Sequence, residues 1–303
     1  MGGRALRLIW PWQDRQRRFS WLKASAFALI LLPAIRFTYQ VATGVYGPIA
    51  VAYGGLTYWS GVWATVILLM ALTVTPALTV FRWHALVDVR RMIGVAALFY
   101  TIAHMVFYFG LRSWNFAVIA DEMATRLTLI VATLSTIGLI VLAATSLDAA
   151  IRALGAKRWQ RLHNTNYVIS GFALLHVVVA RGTYPDQYLL CGLFFWLMAW
   201  RLLARAGRGT DARALAVLAV MSGLLTAFFE AAWLLGRRGY DMEGTLANNF
   251  NPAMFEVGVP AAWQVLGFGL FFALGSMGVA LGVMGREAFR VRAASRLAAR
   301  QTG

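Results

Sequence analysis

Long apolar runs separated by short basic connections organise this chain. A helix crossing the hydrocarbon core needs about 20 such residues, and uncharged or nearly uncharged runs near that size recur eight times. They predict helices over 24–42, 59–80, 92–111, 127–147, 165–180, 187–204, 214–235 and 259–284. The fifth and sixth are short for a span. The first follows a basic leader, as a secretory signal would. That leader is long, however, no small-residue cleavage site follows it, and more spans come after, so a retained helix is expected. The pattern predicts an all-α fold, a polytopic membrane helix bundle.

Composition strengthens this reading. With 60% hydrophobic and 13% charged residues over 303 positions, the chain is too apolar for a water-soluble protein of its size. The net charge of +16, from 28 Lys and Arg against 12 Asp and Glu, would suggest nucleic acid in a soluble chain. Here the basic residues sort by side. With the N-terminus inside, 22 of the 28 fall in inner segments, among them Arg82, Arg90, Arg91, Arg152, Lys157, Arg158 and Arg161. Arg36, Arg112, Arg126, Arg181, Arg237 and Arg238 remain for the outer half. This asymmetry predicts both termini in the cytoplasm of a multi-pass protein. The charge is then topological, and no nucleic-acid partner is expected.

No appended soluble domain is expected either. The basic segment 1–23 precedes the spans, and the basic tail 285–303 follows them. In that tail Arg286, Arg290, Arg292 and Arg296 alternate with Phe289, Val291 and Leu297, so it either lies on anionic membrane lipids or is a frayed end. Gly278 and Gly282, four residues apart, are expected to let another helix approach the last span closely. A single cysteine, Cys191, excludes a disulfide or a Cys-based metal site within the chain.

Four histidines are then the scarce chemical resource. An ionisable residue at hydrocarbon depth is costly and usually faces a cofactor, a cavity or a partner. His104 lies thirteen residues beyond Arg91, and His176 lies thirteen beyond His163. Thirteen residues rise about 20 Å, and both helices run outward, so the two imidazoles reach similar depth. Two imidazoles at one depth on two helices are what a six-coordinate haem inside a bundle requires; packing or proton relay is the plainer alternative. His163 extends the idea, since one helix bearing both His163 and His176 would offer a ligand near each membrane surface. His84, beside Arg82 and Trp83, reads as an interfacial residue. Glu230 has no histidine or carboxylate three or four residues away, and is either a proton or quinone-site group or the partner of an arginine.

The segment RRMIGVAALFYTIAHMVFYFG, followed after a helix by TSLDAAIRALGAKRWQRLHNTNYVISGFALLHVVV, resembles the ferric-reductase-like transmembrane domain family. Within that family it is most similar to the bacterial haem-binding subunits of MsrQ type, which serve a periplasmic methionine-sulfoxide reductase. The matching features are Arg90, Arg91, Gly94 and His104; Thr145 and Ser146; and Trp159, Gln160, Leu162, His163, Asn164 and Tyr167 leading to His176. The resemblance covers about residues 20 to 205.

It implies a six-helix haem b core, here 24–205, in which His104, His163 and His176 bind one haem or two. It also implies electrons from the quinone pool or a cytoplasmic flavin, and their transfer to a periplasmic molybdopterin-containing catalytic subunit in a heterodimer at the bacterial inner membrane. FMN is a further cofactor by resemblance, although no flavin motif is readable. Two departures stand out. Relatives with two bis-histidine haems carry another histidine thirteen or fourteen residues before the deep one, where this chain has Arg91 and Arg90. Those arginines suit haem propionates or a flavin phosphate instead. The region 206–284, with two additional transmembrane helices and the loop 236–258, lies beyond the recognised core. Ferric-chelate reduction, superoxide production, and a haem-free transporter or structural membrane protein are the competing functions.

Overall fold

A computed structural model describes the backbone of residues 10–14, 16–182 and 184–301, and their side chains except at 50, 181 and 287–301. The described residues form helices α1 (Trp21–Ala42), α2 (Ile49–Phe81), α3 (Val87–Leu111), α4 (Phe116–Thr125), α5 (Leu127–Ala144), α6 (Asp148–Leu154) and α7 (Ala156–His163). These are followed by α8 (Asn166–Arg181), α9 (Pro185–Arg205), α10 (Ala212–Arg238), α11 (Met242–Phe250), α12 (Met254–Val257) and α13 (Ala261–Gln301). All eight expected runs are helices, and seven of them are long and apolar enough to cross a bilayer. The eighth, α8, has 16 residues and rises about 24 Å, a little short of a hydrocarbon core of about 30 Å. The protein is an all-α, multi-pass membrane bundle.

Two compact units make up the chain: Met1–Val74 with Ala85–Leu190, and Thr75–His84 with Cys191–Gly303. In the first, α5 packs on α8, α4 on α5, and α3 on both α1 and α5. Small residues set these approaches: a Cβ on Gly138 of α5 would lie 2.7 Å from Ile169 of α8, and Ser135 donates to the Ile169 carbonyl at 3.1 Å. Pro33 lies within α1, where a proline ring strains the ladder of backbone hydrogen bonds. Beside it the Tyr100 hydroxyl of α3 accepts from Ala34 N at 3.1 Å and donates to Ile30 O at 2.7 Å. A side chain from the neighbouring helix thus satisfies backbone groups that hydrocarbon cannot.

Helices α3 and α5 are joined through α4, which begins with Asn115 accepting from Val118 N at 3.2 Å. Before it, Ser113 and Trp114 hold left-handed backbone with φ of 53° and 59°. After it, Arg126 is extended and separates α4 from α5. This corner positions Arg112, Glu122 and Arg126 at one end of the unit.

In the second unit α10 packs along α13. Ala219, Ser222, Gly223 and Thr226 of α10 are buried, and a Cβ on Gly269 of α13 would lie 2.5 Å from that of Ala219. Gly275 meets the Phe81 ring. The expectation for Gly278 and Gly282 is therefore corrected: no neighbouring atom lies within 4 Å of either Cβ position. Close approach to α10 falls at Gly269, about two and a half turns before Gly278, where α10 presents its own small residues. The backbone of the tail to Gln301 continues α13 as one helix of 41 residues. The side chains expected on the lipid surface, from Phe289 onward, lie outside the described residues, as do Arg4, Arg7 and Arg15.

Candidate functional site

A cavity of about 480 Å³ opens within the first unit, between α2, α3, α5 and α8. It exists because the helices turn short side chains towards it: Gly54, Gly61 and Ala64 of α2, Ala132 of α5, Ala173 and Ala180 of α8. Its volume lies in the range of cofactor and ligand sites. His104 enters from α3 and His176 from α8.

The two imidazole centroids are 6.2 Å apart, with planes inclined at 73°. A metal–imidazole bond of about 2.0 Å plus roughly 1.1 Å from ring nitrogen to ring centre, doubled across one ion, gives about 6.2 Å. The spacing leaves room for one metal ion that His104 and His176 would hold between them. Second contacts fix which nitrogen would bind. His104 Nδ1 lies 2.8 Å from the Thr57 carbonyl and His176 Nδ1 lies 3.0 Å from the Thr128 carbonyl. A carbonyl only accepts, so each Nδ1 carries the proton and each Nε2 the lone pair. Such outer-shell carbonyls orient metal-ligating histidines. The residues present therefore fit a six-coordinate haem.

Gly61 of α2 completes this arrangement. Its Cβ position would lie 3.0 Å from both Cε1 and Nδ1 of His104, so glycine is what lets α2 offer the Thr57 carbonyl to that ring. A glycine one turn beyond Thr57 in an apolar helix is the only trace this leaves in the sequence.

Arg112 and Arg126, assigned above only to the outer half, also line the cavity, at the end where α3 stops and α5 starts. Between them lies Glu122, whose side chain is 8% exposed. Arg112 Nε donates to its Oε2 at 2.8 Å, Arg126 Nη2 to its Oε1 at 2.8 Å, and the Tyr108 hydroxyl donates to Oε2. The Tyr108 hydrogen bond is the strongest influence on Glu122. Together with the two arginine charges it outweighs desolvation and holds the carboxyl below the ordinary carboxylate range.

The other expected residues lie elsewhere. His163 ends α7 and does not line the cavity. Its ring stacks on Trp159 at 4.0 Å between centroids, and its Nε2 lies 3.3 Å from the Thr145 hydroxyl. Burial, then the charge of Arg90, lowers its pKa. The picture of one helix carrying both His163 and His176 is corrected: a turn at Asn164–Thr165 divides α7 from α8. Even in an unbroken helix, thirteen residues would leave the two side chains about 140° apart. Arg91 pairs with Asp148 at 3.0 Å and donates to Ser146 O at 3.4 Å. His84 sits exposed in a 3-10 turn. Glu230 accepts from Asn249 Nδ2 at 3.3 Å rather than from an arginine. Among the described residues no three His, Cys, Asp or Glu side chains cluster as a metal site.

The family model described as ferric reductase like transmembrane component matches residues 60–174, which include His104 and stop two residues short of His176. The protein-methionine-sulfoxide reductase heme-binding subunit MsrQ of Azospira oryzae is 32% identical over 196 residues, covering 64% of this chain and 83% of that protein. The chain belongs to the MsrQ family. The MsrQ of Polaromonas naphthalenivorans is 35% identical over 151 residues, 47% of this chain and 67% of its own. The magnetosome protein MamZ of Magnetospirillum gryphiswaldense is 33% identical over 128 residues, 42% of this chain but 20% of that protein. No solved structure matches the chain.

Proposed function

We propose that the chain is the haem-binding, electron-transferring membrane subunit of a methionine-sulfoxide reductase system, with haem b held between His104 and His176. The observation that carries this is the pair of rings 6.2 Å apart, each with Nδ1 on a backbone carbonyl. Haem b bound there would supply one-electron redox chemistry, and ligation by both imidazoles would favour electron transfer over oxygen binding. The protein's contribution is to orient both Nε2 atoms, to keep the slot clear with glycine and alanine, and to hold the site within apolar helices.

Residues 24–205 form the haem-binding core in this proposal, and 206–284 add two helices to it. The distribution of Lys and Arg supports termini in the cytoplasm of a bacterial inner membrane. The electron donor would be quinone or a cytoplasmic flavin, near Arg90, Arg91 and His163. The acceptor would be a periplasmic molybdopterin-containing subunit, which repairs oxidised methionines. Outward electron movement against a negative interior gains about 2.3 kcal/mol per 100 mV.

The test is the reduced-minus-oxidised absorption spectrum of the purified full chain, expressed with adequate haem. A b-type α-band is expected, lost in His104→Ala and in His176→Ala. Its absence from the wild type, or its persistence in both variants, would refute the proposal. A second redox site at His163 is tested in the same series, since His163→Ala should then remove a separate component. The family-model match also favours a second reading, ferric-chelate reduction. Electron transfer from the reduced protein to ferric chelates, but not to a periplasmic reductase, would establish that instead.

A further inference from the structure

The cavity has two unlike ends. Past the histidines in one direction it is lined by Leu68 and Leu139 and by Thr65 and Thr136, whose hydroxyls donate to the Gly61 and Ala132 carbonyls, with no cationic side chain. In the other direction it ends at Arg112 and Arg126, the only basic residues besides the two histidines among its described lining. A haem held by His104 and His176 would fill the cavity between the helices that carry them. Its carboxylate-bearing edge would face one end of the cavity or the other. Arg112 is eight residues beyond His104, about 12 Å along α3, and Arg126 is two residues before Thr128, whose carbonyl orients His176.

We propose that Arg112 and Arg126, held as a pair by Glu122, bind the propionate carboxylates of the haem and fix which way round it enters. This rests on the haem reading above. Charge supports it: two guanidiniums against one carboxylate leave the cluster with a net positive charge, facing a cofactor edge that carries two negative ones. Stereochemistry supports it as well. In the hydrogen bonds described, Arg112 uses Nε and Arg126 uses Nη2 on Glu122, and a guanidinium has five N–H donors in a fork that matches carboxylates. Their side chains are 34% and 56% exposed, so the propionates would lie at the cavity mouth, where the cofactor edge meets water. Glu122 would then be a positioning residue that sets the separation of the two arginines.

The experiment compares haem b with its dimethyl ester, which keeps the iron and macrocycle but lacks carboxylates. Full-length wild type and Arg112→Gln/Arg126→Gln are loaded with each, and release to an excess of apomyoglobin is timed. Wild type should release the ester at least tenfold faster than haem, whereas the double variant should release both at similar rates with its bis-imidazole spectrum intact. At fixed ambient potential the double variant should also show a lower ratio of reduced to oxidised haem, because positive charge beside the carboxylates favours the reduced state. Arg237→Gln, in the second unit, should behave as wild type. Equal retention of haem and ester by wild type overturns the inference whether or not the double variant folds. A double variant that keeps the wild-type preference for haem overturns it too. Failure of wild type to take up either molecule overturns the haem reading itself.

Discussion

Replacing Gly61 by alanine sets two effects of opposite sign against each other. Within a helix, Gly→Ala stabilises by roughly 0.5–1 kcal/mol through backbone entropy. At Gly61, however, the new Cβ would lie 3.0 Å from Cε1 and Nδ1 of His104, closer by about 0.5–1 Å than a comfortable carbon contact. The imidazole must give by a few tenths of an ångström. It is tied at 2.8 Å to the Thr57 carbonyl of the same helix, so the shift strains that bond or moves the ring relative to His176. Loss of outer-shell orientation typically lowers metal affinity 10- to 100-fold, or about 1.4 to 2.7 kcal/mol. The expected Gly61→Ala phenotype is therefore haem released 10- to 100-fold faster from a protein that is, without haem, as stable as wild type or more so. Gly94 of α3 has no neighbouring atom within 4 Å of its Cβ position, so Gly94→Ala should bring only the helix gain. Haem release and thermal unfolding in detergent measure the two quantities. Wild-type haem retention in Gly61→Ala would refute the close approach of α2 to His104.

Two other substitutions probe the frame around the site. Tyr100→Phe deletes the hydroxyl that bridges Ala34 N and Ile30 O, and should cost about 1–3 kcal/mol for the groups left unsatisfied. Adding Pro33→Ala should recover much of this by closing the α1 ladder, as thermal unfolding of the single and double variants will measure. Glu122→Gln tests acid stability. The folded-state pKa of Glu122 is depressed, so its contribution is present above the ordinary carboxylate pKa of about 4.3 and is lost as pH falls through the folded value. The variant should start less stable than wild type at pH 7 and lose less between pH 5 and pH 3; parallel melting curves for the two proteins would contradict the pairing.

What the sequence determined by itself is what accumulates along a helix axis. Apolar run length places the eight long helices, and a rise of 1.5 Å per residue brings His104 and His176 to one depth. The W-Q-x-L-H-N string with His176 thirteen residues later carries the family resemblance. Tertiary structure alone decided what depends on rotation about those axes and on which neighbour each face meets. It turned the two imidazoles towards each other at 6.2 Å and supplied the Thr57 and Thr128 carbonyls. It also made Gly61 a packing necessity, brought Arg112 and Arg126 to the cavity, and left His163 stacked on Trp159. It set the close approach in the second unit at Gly269 and Gly275 rather than at Gly278 and Gly282. The physical reason is that depth is a sum of local steps, whereas facing is fixed by how several helices pack at once.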